Sequence, residues 1–483
     1  MIDPSLLVVL PLVTAFLLPV IDRASGFAGR WIGPLVLTVT LLIGLSLWHA
    51  VGDGAVSVPM GGFPPPLGIA LYIDRLALLF AIAMPLGALL LWPRSYGEGV
   101  AHPVLTLLLV AAGSGLALSG DLFNIYVFYE LTAVISYGLI AGRATSGSQA
   151  AALRYLIVSS FGAALALIGV ALIYQATGTL NLAHLAELAP STLNNSRGLV
   201  AFALLLIGFG VKAELFPVNI WVPEVYATAQ NRVCGLLAGV VSKLAALIIL
   251  RLLVLVFRQP AALDLLLALG VLGVVTGELA AWRARDFNRM LAFSSIGQLG
   301  IVFIAFAVPG PGAVLAGLAV ALHHLVVKPA LFLLAERWSG ALEHLDGAAA
   351  RAPVAAALFV ILALSLIGVP PLPGFWAKLL VLIELARQAQ PLDYLAAFAV
   401  LAGALLEANY LFRVATRFWR QPQSHLLPEP HATPDLATAG LLGGAVIAAT
   451  LLIAPLGDRL SAVAATAADS GFYVHTVAPR GRP

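Results

Sequence analysis

Cysteine is almost missing from this 483-residue chain, where Cys234 stands alone. A single thiol excludes an internal disulfide, a cysteine-ligated iron-sulfur cluster and a thiolate zinc site. Charge is scarce too. Lys, Arg, Asp and Glu make up 10% of the residues against 61% hydrophobic ones, and the mean hydropathy is +1.00, a balance outside the range of soluble domains. No polar stretch is long enough for a soluble domain, and the pI near 9.0 reflects loop arginines, so no nucleic-acid partner is expected. Lysine is the scarcest charged residue. There are four, Lys212, Lys243, Lys328 and Lys378, and every one lies inside an apolar run.

Those runs are what the chain has in abundance. A bilayer core of about 30 Å needs roughly 20 apolar residues per helix, and runs of that size recur from Leu6 to Pro455. The first, Leu6 to Val20, follows Asp3 with no basic residue before it and no small-residue cleavage site after it, which predicts a retained span rather than a signal peptide. Breaking the chain at Gly, Pro and charge clusters predicts spans near 4–21, 31–50, 71–92, 103–119, 121–141, 151–175, 199–224, 232–257, 261–282, 290–308, 311–338, 354–386, 393–418 and 435–455. The expected fold is therefore an all-α polytopic membrane protein of about fourteen transmembrane helices. Spans 7 and 12 contain internal prolines and are expected to be broken.

Arginines set the expected orientation, because Lys and Arg in short loops favour the cytoplasmic side. Loops after odd-numbered spans hold fourteen arginines, among them Arg94, Arg283 and Arg417. Loops after even-numbered spans hold five, and Arg459, Arg480 and Arg482 follow the last span. Both termini are thus expected outside the cytoplasm.

A faint internal repeat follows the breaks. Lys212 precedes Phe216-Pro217-Val218-Asn219-Ile220-Trp221-Val222-Pro223 in span 7, and Lys378 follows Pro370-Pro371-Leu372-Pro373-Gly374-Phe375-Trp376 in span 12. The two spans are five apart, an odd number, so the second copy must enter the membrane upside down, the inverted-repeat plan of many transporters. Lys243 comes 31 residues after Lys212, and Glu407 comes 29 after Lys378. The chain then divides into helices 1–3 (1–102), a first inverted unit of helices 4–8 (103–257), a second of helices 9–13 (258–420), and helix 14 with a tail (421–483).

An ionised side chain near a helix centre costs about 2.5 to 3.5 kcal/mol on insertion scales, so Glu130, Lys212, Lys243, Lys328 and Lys378 left unpaired would cost roughly 12 to 18 kcal/mol together. That rivals the whole stability of a typical protein, about 5 to 15 kcal/mol. They must be paired, hydrated or neutral, a requirement met where ions or protons move. Lysine suits proton exchange because burial favours the neutral amine, whereas a carboxylate neighbour favours the ammonium. Glu130, mid-span, is the expected partner of Lys212, and Glu214, two residues from Lys212, is either an alternative partner or a residue facing the helix break. Snorkelling of lysine stems to the headgroups is the structural alternative. The breaks at Pro217, Pro223, Pro371, Pro373 and Gly374 free backbone groups at membrane depth, tolerated only against protein or water; they read as hydrated pathways or as ordinary proline kinks.

His323 and His324 point about 100° apart on a helix, so they cannot chelate one metal or supply both axial ligands of a haem. No metal or cofactor site is expected. His324 and Lys328 share a face, four residues apart, as a titratable relay or as plain interhelical hydrogen bonding. His323, Glu214 and Glu407 are candidate accessory groups.

At these residues the sequence resembles the antiporter-like subunit family shared by Mrp-type cation/proton antiporters, respiratory complex I and membrane-bound hydrogenases. The resemblance covers roughly 70–420. It rests on Gly120-Asp121-Leu122-Phe123-Asn124, Lys212 to Pro223, Met290-Leu291-Ala292-Phe293-Ser294-Ser295-Ile296-Gly297-Gln298-Leu299-Gly300, His323 to Leu333, and Pro370 to Lys378. Within the family it is nearest the D-type branch of Mrp antiporter subunits, on the His-His-Leu-Val-Val-Lys stretch and the lysine at 378. Asn219, where the family pattern has histidine, Asn288 in place of a common lysine, Glu214 as an extra acid and Pro329 after Lys328 depart from the pattern.

The resemblance implies fourteen helices with two inverted five-helix units and a charged axis along the membrane middle through Glu130, Lys212, Lys243 and Lys378, linked by His324 and Lys328. It further implies a proton-translocating transporter subunit, not itself an enzyme. Such a subunit sits among other membrane subunits in a bacterial or archaeal cell membrane and moves protons, with Na⁺ as one candidate for the exchanged cation. A redox-driven complex using the same module is the main alternative; a self-sufficient solute carrier and a haem, bilin or quinone protein fit less well, lacking a solute site and suitably spaced histidines.

Overall fold

A computed structural model describes residues 2–66, 68–93, 99–421 and 433–477. Arg94, one of the orienting arginines, Arg480 and Arg482 of the tail, and residues 422–432 of the expected helix 14 segment lie outside the described residues. Helices α1 (Leu6–Ala24) and α2 (Gly26–Val51) lead into an antiparallel hairpin, β1 (Val56–Pro59) and β2 (Ala70–Ile73), with Val56 opposite Ile73. Next come α3 (Arg75–Leu90), α4 (Ala101–Leu118), α5 (Leu122–Ala141), α6 (Ser146–Thr177), α7 (Leu182–Thr192) and α8 (Ser196–Gly210). After them follow α9 (Val222–Thr228), α10 (Asn231–Leu236), a π-helical stretch (Leu237–Val241) and α11 (Ser242–Leu255). The chain continues through α12 (Pro260–Arg283), α13 (Phe287–Ala307), α14 (Pro311–Ala335), the single turn α15 (Ala348–Arg351), α16 (Pro353–Ile367), α17 (Pro373–Gln388) and α18 (Pro391–Phe418). It ends in α19 (Thr433–Leu451), α20 (Ile453–Ala468) and α21 (Ser470–Val477).

Ten helical spans among the described residues are long and apolar enough to cross a membrane, eleven if 436–451 and 453–468, bent by 89°, form one span. Three shorter apolar helices, α3, α8 and α16, accompany them. The chain is a helical polytopic membrane protein. The expected breaks are present: α8 stops at Gly210 and helix resumes at Val222, and α16 stops at Ile367 with α17 beginning at Pro373. Proline cannot donate an N–H but suits the first turn of a helix, and Pro223 and Pro373 occupy that place. Gly368 ends α16 with a left-handed φ of 94°, a conformation that favours glycine.

By internal contacts the chain divides into two units: Met1–Ala213 with Val240–Leu263 and Ala462–Pro483, and Glu214–Gly239 with Asp264–Ser461. In the first unit, α4 packs on α1, α3 and α5, and α6 packs on α5 and α8. Polar side chains cap its helices as the sequence allows: Asp121 accepts from the Phe123 and Asn124 amides, Asn181 from Ala183 and His184, and Asn195 from Gly198. Such caps satisfy amides that have no intrahelical acceptor. Asp74 caps α3 through the Ala77 amide, and both its oxygens also accept from Nη2 of Arg251 on α11, at 2.6 Å each. The Arg251 guanidinium lies 5.2 Å from the Tyr72 ring and 5.5 Å from that of Tyr473 on α21.

In the second unit α14 is central, packing on α10, α13, α16, α17 and α19. Pro329 on α14 meets Gly239 in the π-helical stretch, where a Cβ would come 2.6 Å from its Cγ; the proline is accommodated because that neighbour has no side chain. The hairpin, the amphipathic α7, the π-helical stretch and the helices α20 and α21 were not expected from the sequence.

Candidate functional site

Carbonyls at the end of a helix lack some of their intrahelical amide partners, and in each unit the carbonyls at a broken helix end take part in holding a buried lysine. In the first unit α8 ends at Gly210, and the Tyr129 hydroxyl donates to the Gly208 and Phe209 carbonyls at 2.8 and 3.0 Å while accepting the Lys212 amide at 3.2 Å. The Tyr129 ring then carries the lysine, whose Nζ sits 3.3 Å from the ring centroid, a cation–π contact worth about 0.5 to 2 kcal/mol. Nζ also donates to Ser159 Oγ at 3.4 Å and pairs with Glu130 Oε1 at 3.6 Å. The lysine side chain is 1% exposed and the glutamate 28%. Lys243, on α11 just after the π-helical stretch, is fully buried and donates to Ser242 Oγ at 3.1 Å.

In the second unit the broken helix holds its lysine directly. Lys378 on α17 donates to the Leu366 and Ile367 carbonyls at the end of α16, at 2.8 and 3.1 Å, and pairs with Glu407 Oε2 at 2.6 Å. Both side chains are buried, at 9% and 0% exposure. Gln298 Nε2 donates to both Glu407 oxygens, at 2.9 and 3.0 Å. Gly374 is required here, since a Cβ would fall 1.8 Å from the Ser365 carbonyl. His323 Nε2 shares a 2.8 Å hydrogen bond with Ser365 Oγ. Lys328 is fully buried and donates to Leu291 O at 2.9 Å and Ser294 Oγ at 2.8 Å; His324, one turn earlier on α14, is buried as well.

Glu214 belongs to the second unit and stands at a left-handed φ of 56°, uncommon for a residue with a side chain. Its Oε1 accepts the Tyr226 hydroxyl at 2.7 Å, and its carbonyl accepts from Asn219 Nδ2 at 3.3 Å. Asn288 donates to Tyr226 O and to Asn231 Oδ1, so Asn219 and Asn288, both departures from the family pattern, serve to stitch the segment between the break and α10.

The structure therefore brings Lys212 to Glu130 and Lys378 to Glu407, and it promotes Glu407 from an accessory group to the acid beside Lys378. Tyr129, Ser159, Ser294 and Gln298 were not expected from the sequence, nor was Glu278, 1% exposed on α12, which accepts the Tyr410 hydroxyl at 3.0 Å. Ser294 and Gln298 lie inside the Met290–Gly300 motif, whose pattern is legible in the sequence while its hydrogen bonds are not. Glu278 is an acid in the middle of an apolar span, the same signal that marks Glu130. Tyr129 carries no signal of its own in an aromatic-rich helix.

Residues 119–405 match the family profile described as "NADH:quinone oxidoreductase/Mrp antiporter, TM". The N subunit of the NADH-quinone oxidoreductase of Desulforudis audaxviator is 32% identical, over 89% of this chain and 88% of that protein. The D-type subunit of the Na(+)/H(+) antiporter of Alkalihalophilus pseudofirmus is 30% identical, over 80% and 76%. Among solved structures, a chain of the membrane-bound sulfane sulfur reductase, an archaeal respiratory membrane complex, superposes with a TM-score of 0.91 at 29% identity, over 98% of this chain and 99% of that one. The chain is a member of the NADH:quinone oxidoreductase/Mrp antiporter transmembrane family.

Proposed function

We propose that this chain is the proton-conducting subunit of a multisubunit cation/proton antiporter, exchanging protons against a cation such as Na⁺ among companion membrane subunits in a bacterial or archaeal cell membrane. The observation that carries the reading is the recurrence of one arrangement at both breaks: a buried lysine beside a glutamate, next to the end of a broken helix. In this reading protons enter at the span 7 break, pass Lys212 with Glu130, then Lys243, His324 and Lys328, and leave by Lys378 with Glu407. Glu214 and His323 are accessory to it, and Pro217, Pro223, Pro371, Pro373 and Gly374 keep the breaks open. Two unit charges about 8 Å apart interact by roughly 2 kcal/mol at an effective dielectric of 20, enough for one protonated lysine to discharge the next.

The reading includes fourteen spans, reached by adding the three shorter apolar helices to the eleven, and two inverted five-helix units over 103–257 and 258–420, preceded by 1–102 and followed by 421–483. It places both termini outside the cytoplasm, on the arginine count. Relatives named as antiporter subunits support it. Lys212→Ala, assayed in vesicles with the partner subunits present, is expected to abolish pH-driven cation exchange while the complex still assembles; unchanged exchange would sink the mechanism.

The second reading is the same proton module powered by a redox complex, favoured by the NADH-quinone oxidoreductase relative and the sulfane sulfur reductase neighbour. Mass spectrometry of the intact complex decides. Companion subunits carrying iron-sulfur clusters would establish the redox reading, and small membrane subunits alone would establish the antiporter.

A further inference from the structure

On α12, in the second unit, the exposed large apolar side chains fall on one face. Leu272, Val275, Leu279 and Trp282 follow the three- and four-residue spacing of a helical stripe. Arg283 comes one turn after Leu279 and ends the helix. There the stripe meets a cavity of about 480 Å³ lined by Arg283, Arg285 and Arg289 together with Asp286, Ala280 and Phe293. Small-molecule sites measure about 300 to 1,000 Å³, so the cavity is large enough to hold a ligand group. The three arginines are exposed and form no ion pair among the described residues, whereas Arg417 in the last turn of α18 is paired with Asp346 at 3.2 Å.

The backbone around the cavity is tied down. Gly277 brings α12 close against α13, since a Cβ there would fall 2.6 Å from the Gly297 amide nitrogen. In the turn between the two helices, the Arg285 carbonyl accepts the Leu342 amide at 2.8 Å, and the Phe287 amide donates to the Gly340 carbonyl at 2.9 Å. The Phe287 ring is buried, 5.8 Å from that of Phe359. Arg413 Nη2 on α18 donates to the Ala284 carbonyl at 3.3 Å. Asp286, the acid in the lining, is engaged through Oδ1, which caps α13 at the Arg289 amide, 2.9 Å away. Three guanidiniums thus stand on a fixed turn beside one carboxylate that already has a partner.

We propose that this cavity binds the phosphate of an acidic phospholipid such as phosphatidylglycerol, with an acyl chain lying along Leu279, Val275 and Leu272. Guanidinium forks match phosphate oxygens bidentately and are more weakly hydrated than an ammonium. Basic pockets at the cytoplasmic ends of membrane helices recruit anionic headgroups, and the orientation proposed from the arginine count puts this turn on that side. The apolar stripe selects among anions. It runs where lipid chains lie, so a phospholipid reaches the arginines with its chain still in the bilayer, whereas free phosphate or a soluble acidic peptide gains nothing from it. No step of the proton-conducting reading passes through this site, and the proposal stands apart from that reading.

The test places the complete complex in lipid nanodiscs of phosphatidylcholine, with or without phosphatidylglycerol, and follows arginine modification by phenylglyoxal with peptide mass spectrometry. Phosphatidylglycerol is expected to slow modification of Arg283, Arg285 and Arg289 about tenfold, on the scale of several arginines held by one anionic headgroup. Arg420, exposed just beyond α18 and outside the cavity, is expected to change far less. Leu272→Ala with Leu279→Ala is expected to weaken the protection, which attraction between charges alone would not do, and Arg285→Gln with Arg289→Gln is expected to leave Arg283 unprotected. Four results overturn the proposal: no slowing at the three arginines, equal slowing at Arg420, slow modification in phosphatidylcholine alone, which would mean that a companion protein covers the site, or equal protection by inorganic phosphate, which would make it a site for free anions. Should a variant fail to assemble, the lipid dependence of the parent complex carries the test. The readout does not use transport, so its failure is separate from any result with Lys212→Ala.

Discussion

The two lysine cradles are built from the same parts in different order. At Lys378 the freed carbonyls of the broken helix hold the ammonium themselves, and the acid is short-range, buried and clamped by Gln298. At Lys212 a tyrosine intervenes: its hydroxyl bonds the Gly208 and Phe209 carbonyls, its ring takes the ammonium, and Glu130 stands at 3.6 Å, partly exposed. The Lys378 ammonium is therefore held by closer and more buried partners than the Lys212 ammonium.

Three substitutions would break or sharpen that contrast. The largest effect is expected at the tight pair: Glu407→Gln strands a buried ammonium, and removing one partner of a buried pair costs about 3 to 5 kcal/mol. Thermal unfolding of the purified complex should show a clear fall in midpoint, and no fall would mean that the two cradles are equally loose. Tyr129→Phe keeps the ring but removes the hydroxyl, at about 0.5 to 1.5 kcal/mol. Hydrogen exchange at the amides of 209–213 should quicken, while exchange activity falls less than in Lys212→Ala. A smaller stability change than at Glu407 is expected from Glu130→Gln, because the Glu130 carboxylate is 28% exposed and stands 3.6 Å from Nζ, read by the same unfolding assay; this variant should nonetheless transport poorly. A large stability loss there would contradict a loosely held Lys212.

Much of the site was legible because charge in an apolar run is conspicuous. Lys212, Lys243, Lys328, Lys378 and Glu130 stood out on that ground alone, and the prolines marked both breaks. The acid beside Lys378 was harder, since Glu407 lies on the next helix, 29 residues away, and only folding brings it within 2.6 Å. Glu278 is as conspicuous as Glu130 but has no counterpart in the internal repeat. The carbonyls that hold Lys378 are backbone groups and have no residue identity to read. In the fold, the hairpin at 56–73 is too short and too local to stand out beside the long apolar runs, and the bend between α19 and α20 falls within a continuous apolar stretch.

The π-helical stretch at Leu237–Val241 has a consequence for counting. Bonds there span five residues instead of four, so the element holds one more residue than a regular helix of the same rise. A helical wheel drawn through Asn231–Leu255 misplaces everything on one side of the stretch by a residue, about 100° of rotation. Lys243 lies just beyond that slip. Its facing is set by the length of the segment, so the span is more tolerant of changed letters than of a missing one.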